Sequence, residues 1–132
     1  MYSSEIAKLT LFEARQLLDS GEVSSQEITQ AALSRIEEVD GDIKAFVTVT
    51  DDLAVEQACD ADKRIAVGDV TPITGIPMQL KDNLCTRGVL TTCASRMLEG
   101  FIPTYDATVT SRLNSAGTVL VGKGNLDEFA MG

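Results

Sequence analysis

The chain contains no histidine, so any proton chemistry in it falls to lysine, carboxylates, serine or cysteine. That excludes Ser-His-Asp and Cys-His catalysis within the chain, and an HExxH zinc site. Three cysteines, Cys59, Cys85 and Cys93, form no CxxC pair. Their odd number suits free thiols in a reducing compartment, and without histidine a structural zinc site is disfavoured. Packing is a better use for each of them than nucleophilic attack. The residue that stands out is Lys81, which ends the largely apolar run Gly75-Ile76-Pro77-Met78-Gln79-Leu80 and precedes Asp82-Asn83. A lysine at the tip of a buried strand is costly unless something pairs with it or uses it. Spacing alone favours a side chain that snorkels to solvent. The functional alternative is a lysine desolvated enough to take a proton from a serine. Asp82 opposes that role by stabilising the charged form, unless it points away.

Other motifs come close to known chemistry and miss. Gly117-Thr118-Val119-Leu120-Val121-Gly122-Lys123-Gly124 nearly matches the phosphate loop G-x-x-x-x-G-K-[ST]. Gly124 supplies no hydroxyl for magnesium, however, and Thr-Val-Leu-Val favours a strand over a phosphate-cradling loop. The same glycines fail as a dinucleotide fingerprint, because Asp127 stands at the third glycine. Asp127-Glu128 reads as charge at a helix start, since adjacent helical residues do not face each other as an acid–base pair would. No cofactor or metal is expected on this chain.

The chain has 132 residues and 44% apolar content, enough for one domain with a core. A net charge of −9 argues against direct contact with nucleic acid. The start, Met1-Tyr2-Ser3-Ser4-Glu5, has the pattern of neither a signal nor a transit peptide, and no apolar run is long enough to span a membrane, so a cytoplasmic location is expected.

Thr10-Leu11-Phe12-Glu13 and Ser24-Ser25-Gln26-Glu27 both read as capping boxes. The helices they open carry apolar stripes, of Leu11, Ala14 and Leu18 with Phe12 beside them, and of Ile28, Ala31, Ala32, Ile36 and Val39. Gly21 and Asp40-Gly41 close them, and the short turn between suggests a helical hairpin. Ala45–Thr50 reads as a strand, and Thr50-Asp51-Asp52 as the start of a helix with Asp60 and Arg64 placed for an i,i+4 pair. Beyond Val70 the pattern changes to strand (Ile76–Lys81), loop (Thr91–Ser95), helix (from an Asp106 cap to Gly117) and strand (Thr118–Gly122). Ser95 is placed to cap a short turn through Met97 and Leu98. This order resembles a parallel α/β crossover. Asn125–Phe129 reads as the first turn of a further element.

Gly75–Asn83, Asp106-Ala107-Thr108-Val109, Ala116–Lys123 and Asn125–Phe129 together resemble the amidase signature family in order and spacing. Thr91-Thr92-Cys93-Ala94-Ser95 and Asp127–Gly132 are more similar to one branch, the A subunits of glutamyl-tRNA(Gln)/aspartyl-tRNA(Asn) amidotransferases. Two positions depart from the pattern: Gln79 is polar in an apolar strand, and Gly124 stands where the family often has threonine.

The resemblance implies an α/β amidase-signature fold, with N-terminal helices followed by the first strands and helices of a mixed, largely parallel sheet. Residues 1–69 would be a helical lead-in and 70–132 the start of the catalytic core, ending before the family's two serines; neither Ser95 nor Ser111 matches them. Lys81 matches the family's lysine base. It would deprotonate a bridging serine in a cis peptide, which activates the nucleophilic serine for attack on the glutamine side-chain amide. Ammonia would pass to the B subunit, which uses ATP and Mg and holds the charged tRNA; the C subunit would complete a heterotrimer. The expectation is the N-terminal portion of such an enzyme, inactive by itself, with an exposed sheet edge or uncovered apolar face. The alternatives are an amidase of the same family acting on another amide, and a non-catalytic partner-binding segment.

Overall fold

The computed structural model of the chain describes residues 3–132; Met1 and Tyr2, the start of the stretch read above for a leader, lie outside them. Five helices, α1 (Ser3–Ile6), α2 (Leu11–Ser20), α3 (Ser25–Ile43), α4 (Asp51–Ala66) and α5 (Thr108–Ser115), accompany three strands, β1 (Phe46–Val49), β2 (Pro77–Lys81) and β3 (Val119–Gly124). Short 3-10 turns occupy Arg96–Leu98 and Glu128–Ala130.

Both capping boxes form. Thr10 Oγ1 accepts the Glu13 N–H while Glu13 Oε2 accepts the Thr10 N–H, and Ser24 and Glu27 repeat the exchange. Gly21 ends α2 with φ of 72°, a left-handed conformation that costs glycine little. Helix α3 runs past the expected stop at Asp40-Gly41 as far as Ile43, where Lys44 takes the left-handed cap. The Asp40 carboxylate then accepts the N–H groups of Ala45 and Phe46 and turns the chain into β1.

Ala14 and Leu18 of α2 and Ile28 and Ala31 of α3 share one apolar cluster with Ile6, Val23 and Ile76. Leu11 and Phe12, expected in that stripe, are instead exposed. Helix α3 packs mainly on α4 and α1 rather than lying along α2 as a simple hairpin. A second cluster joins Leu33, Ala54 and Ala58 to Val119 and Val121 and thereby seats α3 and α4 on the sheet.

Two further expectations need correction. Asp60 pairs with Lys63 at 2.8 Å, while Arg64 is drawn to Asp69 at 3.0 Å and to the carbonyl of Ser115. Helix α4 does start after Thr50 as expected, and the Thr50 hydroxyl donates to the Leu120 carbonyl of β3 at 2.7 Å rather than to a cap bond of its own helix. Helix α5 starts from Ala107, and Asp106 accepts the N–H of Arg87 instead.

The sheet order is β1-β3-β2, with β1 antiparallel and β2 parallel to β3. The expected crossover is present, as β2, α5 and β3 follow in sequence and the two strands are parallel neighbours. Central β3 is buried along its whole length and extends through Lys123 and Gly124, beyond the expected end at Gly122. Strand β2 was expected to be buried, but it pairs on one side only and of its five residues Leu80 alone is buried. The expected exposed edge is therefore found at β2, and large apolar side chains such as Met97 and Met131 are also exposed. Among the described residues, no helix is long and apolar enough to cross a membrane.

Candidate functional site

Ligands of α/β folds gather at the C-terminal ends of parallel strands. Here β2 ends on Lys81 and β3 ends on Lys123-Gly124, so both lysines lie at that rim. Side chains alternate along a strand, and the register pairs Leu80 with Lys123 and Lys81 with Gly124. The two lysines therefore occupy opposite faces of the sheet, and their environments differ completely.

Lys123 is fully buried. Its Nζ donates to Thr91 Oγ1 at 2.8 Å and to the Leu84 carbonyl at 3.1 Å, and lies 3.5 Å from Asp82 Oδ1. Burial pulls the Lys123 ammonium below the ordinary lysine range, and the Asp82 carboxylate opposes that shift. Asp82 is also fully buried. Its Oδ2 accepts the Thr92 hydroxyl at 2.6 Å and the Thr92 N–H at 3.0 Å. Its backbone is equally engaged, with its N–H donating to Gly124 O and its carbonyl accepting from Cys93 N. One ion pair thus ties the ends of β2 and β3 to the loop from Leu84 to Cys93.

Lys81 has none of these contacts. It is exposed, and its side chain makes no hydrogen bond or ion pair among the described residues. Asp82, the neighbour that could have held it as a charged pair, is turned to the other face and occupied there. An amine beside open space and without a carboxylate partner can meet a proton donor that approaches this face.

The rim also carries strained backbone. Cys93 and Ala94 have φ of 52°, Phe129 of 52° and Ala130 of 58°, all left-handed without being glycine. Such residues cost about 1–2 kcal/mol each and persist where surrounding bonds over-determine them. Here Phe129 N donates to Cys93 O at 3.0 Å, and Ser95 Oγ donates to Glu128 Oε1 at 2.6 Å. Ser95 also accepts the Met97 N–H, the expected cap of that short turn. Ser95 thus has a structural role, as has the exposed Glu128 that holds it. A shallow cleft of about 390 Å³ opens beside this junction and is lined by Thr92, Ala94, Ser95 and Asn125 among others.

Burial, followed by the Asp82 charge, pushes the Cys93 thiol up, so it is not an activated thiolate. All three cysteines are free. No cluster that could hold a metal ion occurs among the described residues.

The sequence singled out Lys81 and noted that Asp82 must point away from it, which it does. It missed the buried Asp82–Lys123 pair. The signal was a lysine continuing the pattern of a strand whose every other side chain is apolar or glycine, and it was hidden by placing the strand end at Gly122.

The family model for Amidase matches residues 27–132. The chain is 52% identical over 129 residues to the A subunit of the glutamyl-tRNA(Gln) amidotransferase of Dehalococcoides mccartyi, covering 98% of this chain and 26% of that protein. With the protein of the same name from Desulforapulum autotrophicum it shares 56% over 128 residues, covering 97% and 26%. Among solved structures, the native peptide amidase of Stenotrophomonas maltophilia superposes with a TM-score of 0.86 at 33% identity, covering 92% of this chain and 26% of that one. The chain therefore spans about a quarter of the length of the curated relatives it matches.

Proposed function

Since the chain belongs to the amidase family, we propose that it contributes the lysine base of the glutamine-hydrolysing A subunit of a tRNA-dependent amidotransferase. On this reading residues 1–69 are a helical lead-in, and 70–132 begin the catalytic core, which the two serines beyond this stretch complete. The observation that carries it is the asymmetry of the rim: Lys81 stands exposed and unpaired while Asp82 is held away from it by Thr92 and Lys123.

In the proposed reaction Lys81 takes a proton from a bridging serine, which in turn accepts the proton of the nucleophilic serine. Attack on the side-chain amide of glutamine forms an acyl-enzyme, and the protonated nitrogen leaves as ammonia. Water then releases glutamate and restores the serine. The B subunit receives the ammonia and uses ATP and Mg to activate Glu-tRNA(Gln), or Asp-tRNA(Asn), and the C subunit completes the heterotrimer. The net charge of −9 fits a protein that leaves contact with tRNA to its partner.

The test is ammonia release from glutamine by the full-length protein with its partner subunits. Lys81→Ala is expected to lower kcat by about 10²–10⁴-fold, the range for losing a general base. Near-wild-type release would remove Lys81 from the mechanism. Likeness to a peptide amidase supports a second reading, an amidase acting on another amide. Transfer of ammonia to Glu-tRNA only in the presence of the partner subunits favours the first reading; hydrolysis of peptide amides without them favours the second.

A further inference from the structure

The two departures from the family pattern, Gln79 and Gly124, compete for one space. Gln79 precedes Lys81 by two residues on β2, so the two side chains share a face of the sheet. The register partner of Lys81 is Gly124. The position beside Lys81 that a side chain at 124 would take is filled by Gln79: a Cβ placed on Gly124 would lie 2.7 Å from Gln79 Cδ, 2.9 Å from its Oε1 and 3.1 Å from its Cγ. The amide is tethered from the far side, where Gln79 Nε2 donates to the Ala45 carbonyl at 3.0 Å. That carbonyl also accepts the Asn125 N–H at 2.8 Å. A side chain from β2 thus crosses β3 and is tied to the residue leading into β1. A carbonyl can only accept, so the tether fixes which end of the amide is nitrogen and leaves Oε1 as the open acceptor. Oε1 and the Lys81 ammonium each make no hydrogen bond among the described residues, to one another included, so the lysine stem must turn for the two to meet.

We propose that Gln79 is a positioning residue for Lys81: its tethered amide, seated over Gly124, is the acceptor to which the lysine stem turns one N–H when the base is engaged. The amine's lone pair is thereby aimed at the hydroxyl it deprotonates. A lysine stem is otherwise free to swing through many rotamers. The proton passes from serine to lysine, and Gln79 exchanges none. Gly124 is required because any side chain there would displace the amide. The inference rests on Lys81 acting as the base.

Ammonia release from glutamine and thermal melts of the full-length protein with its partners test this. Gln79→Met keeps the bulk and removes the oxygen; kcat is expected to fall about tenfold, the value of one hydrogen bond, with KM within about twofold and Tm unchanged. Gly124→Ala pushes away only the flexible end of Gln79, so the protein folds and kcat falls by a similar factor. Gln79→Ala is expected to lose about as much as Gln79→Met, and Gln79→Ala/Gly124→Ala to be no worse than Gln79→Ala or Gly124→Ala alone, because both remove the same contact; independent effects would multiply to about a hundredfold. Wild-type kcat in Gln79→Met overturns the proposal, as does multiplication of the two losses. A lower Tm in Gly124→Ala with undiminished kcat assigns the pair to packing and also overturns it. Lys81→Ala separates this from failure of the base itself: an active Lys81→Ala removes both, whereas an inactive Lys81→Ala beside a fully active Gln79→Met removes only the role of Gln79.

Discussion

The helical segment up to Asp69 and the strand-and-loop segment that follows hold their polar groups in different ways. In the first, most side-chain bonds are short in sequence and lie at the surface: Thr10 with Glu13, Ser24 with Glu27, Arg35 with Glu38, Lys63 with Asp60. In the second the bonds that hold the rim are long in sequence and partly or fully buried: Lys123 reaches Leu84 and Thr91, Asp82 reaches Thr92, and Ser95 reaches Glu128. The first kind stabilises a helix wherever that helix sits. The second exists only after the loop has closed on the sheet, and it fixes the rim where Lys81 stands.

The sharpest way to break this contrast is Lys123→Met. It leaves the Asp82 carboxylate fully buried without its cation, and an orphaned buried charge costs about 3–5 kcal/mol. Lys123→Met/Asp82→Asn removes both charges and is expected to recover a substantial part of that loss in denaturant titrations. A change of under about 1 kcal/mol in the single variant would mean that the pair does not organise the rim. The pair also has a pH signature. Because burial depresses the folded-state pKa of Lys123, the cost of holding its charge is present at neutral pH and is relieved as pH rises toward about 10.4. Wild type is expected to gain stability relative to Lys123→Met over that rise.

The same contrast explains what could be read from the sequence. Both capping boxes were legible because all of their determinants lie within four consecutive residues. The α5 crossover was legible from the order of elements, and Lys81 from a charge that ends an apolar run. Lys123 was not, since a lysine in Val121-Gly122-Lys123-Gly124 gives no sign of the residues that satisfy it; Leu84 and Thr91 become its neighbours only through a long-range closure. The Asp60–Arg64 pair failed for a related reason. Helical spacing permits it, but Arg64 finds the Asp69 carboxylate and the Ser115 carbonyl after folding. Asp106 was a good cap by type and was diverted to the N–H of Arg87. Gln79 looked like an exception in its strand, and only the missing Cβ of Gly124 shows where its amide goes.

A local device should give a smaller and separable loss. Ser24 Oγ accepts the Glu27 N–H at 3.1 Å and donates to Glu27 Oε2 at 2.9 Å, so Ser24→Ala removes both hydroxyl contacts of that box. The expected cost is about 1 kcal/mol, read from denaturant titration. It should be additive with the cost of Lys123→Met, since the sites share no partner. Strong coupling between them would mean that the helical segment and the rim are one cooperative device.

Glu27→Gln is the mildest of these changes and tests whether the helical segment answers to acid on its own. The N–H and hydroxyl of Ser24 hold the Glu27 carboxyl below the ordinary carboxylate range, and Thr10 does the same for Glu13. A carboxyl with a depressed folded-state pKa contributes stability that is present above its unfolded value of about 4.3 and is lost as pH falls through the folded value. The first turns of α2 and α3 should therefore fray in acid, as pH falls below the ordinary carboxylate range. Glu27→Gln keeps the bond from the Glu27 N–H to Ser24 and lets a neutral amide oxygen replace the carboxylate. Its loss at pH 7 should be smaller than that of Ser24→Ala, and its stability should depend less on pH than that of wild type in the acid range. Amide hydrogen exchange at Ser24 and Glu27 between pH 3 and 6 measures this directly. An unchanged acid dependence in the variant would assign the fraying to carboxylates elsewhere.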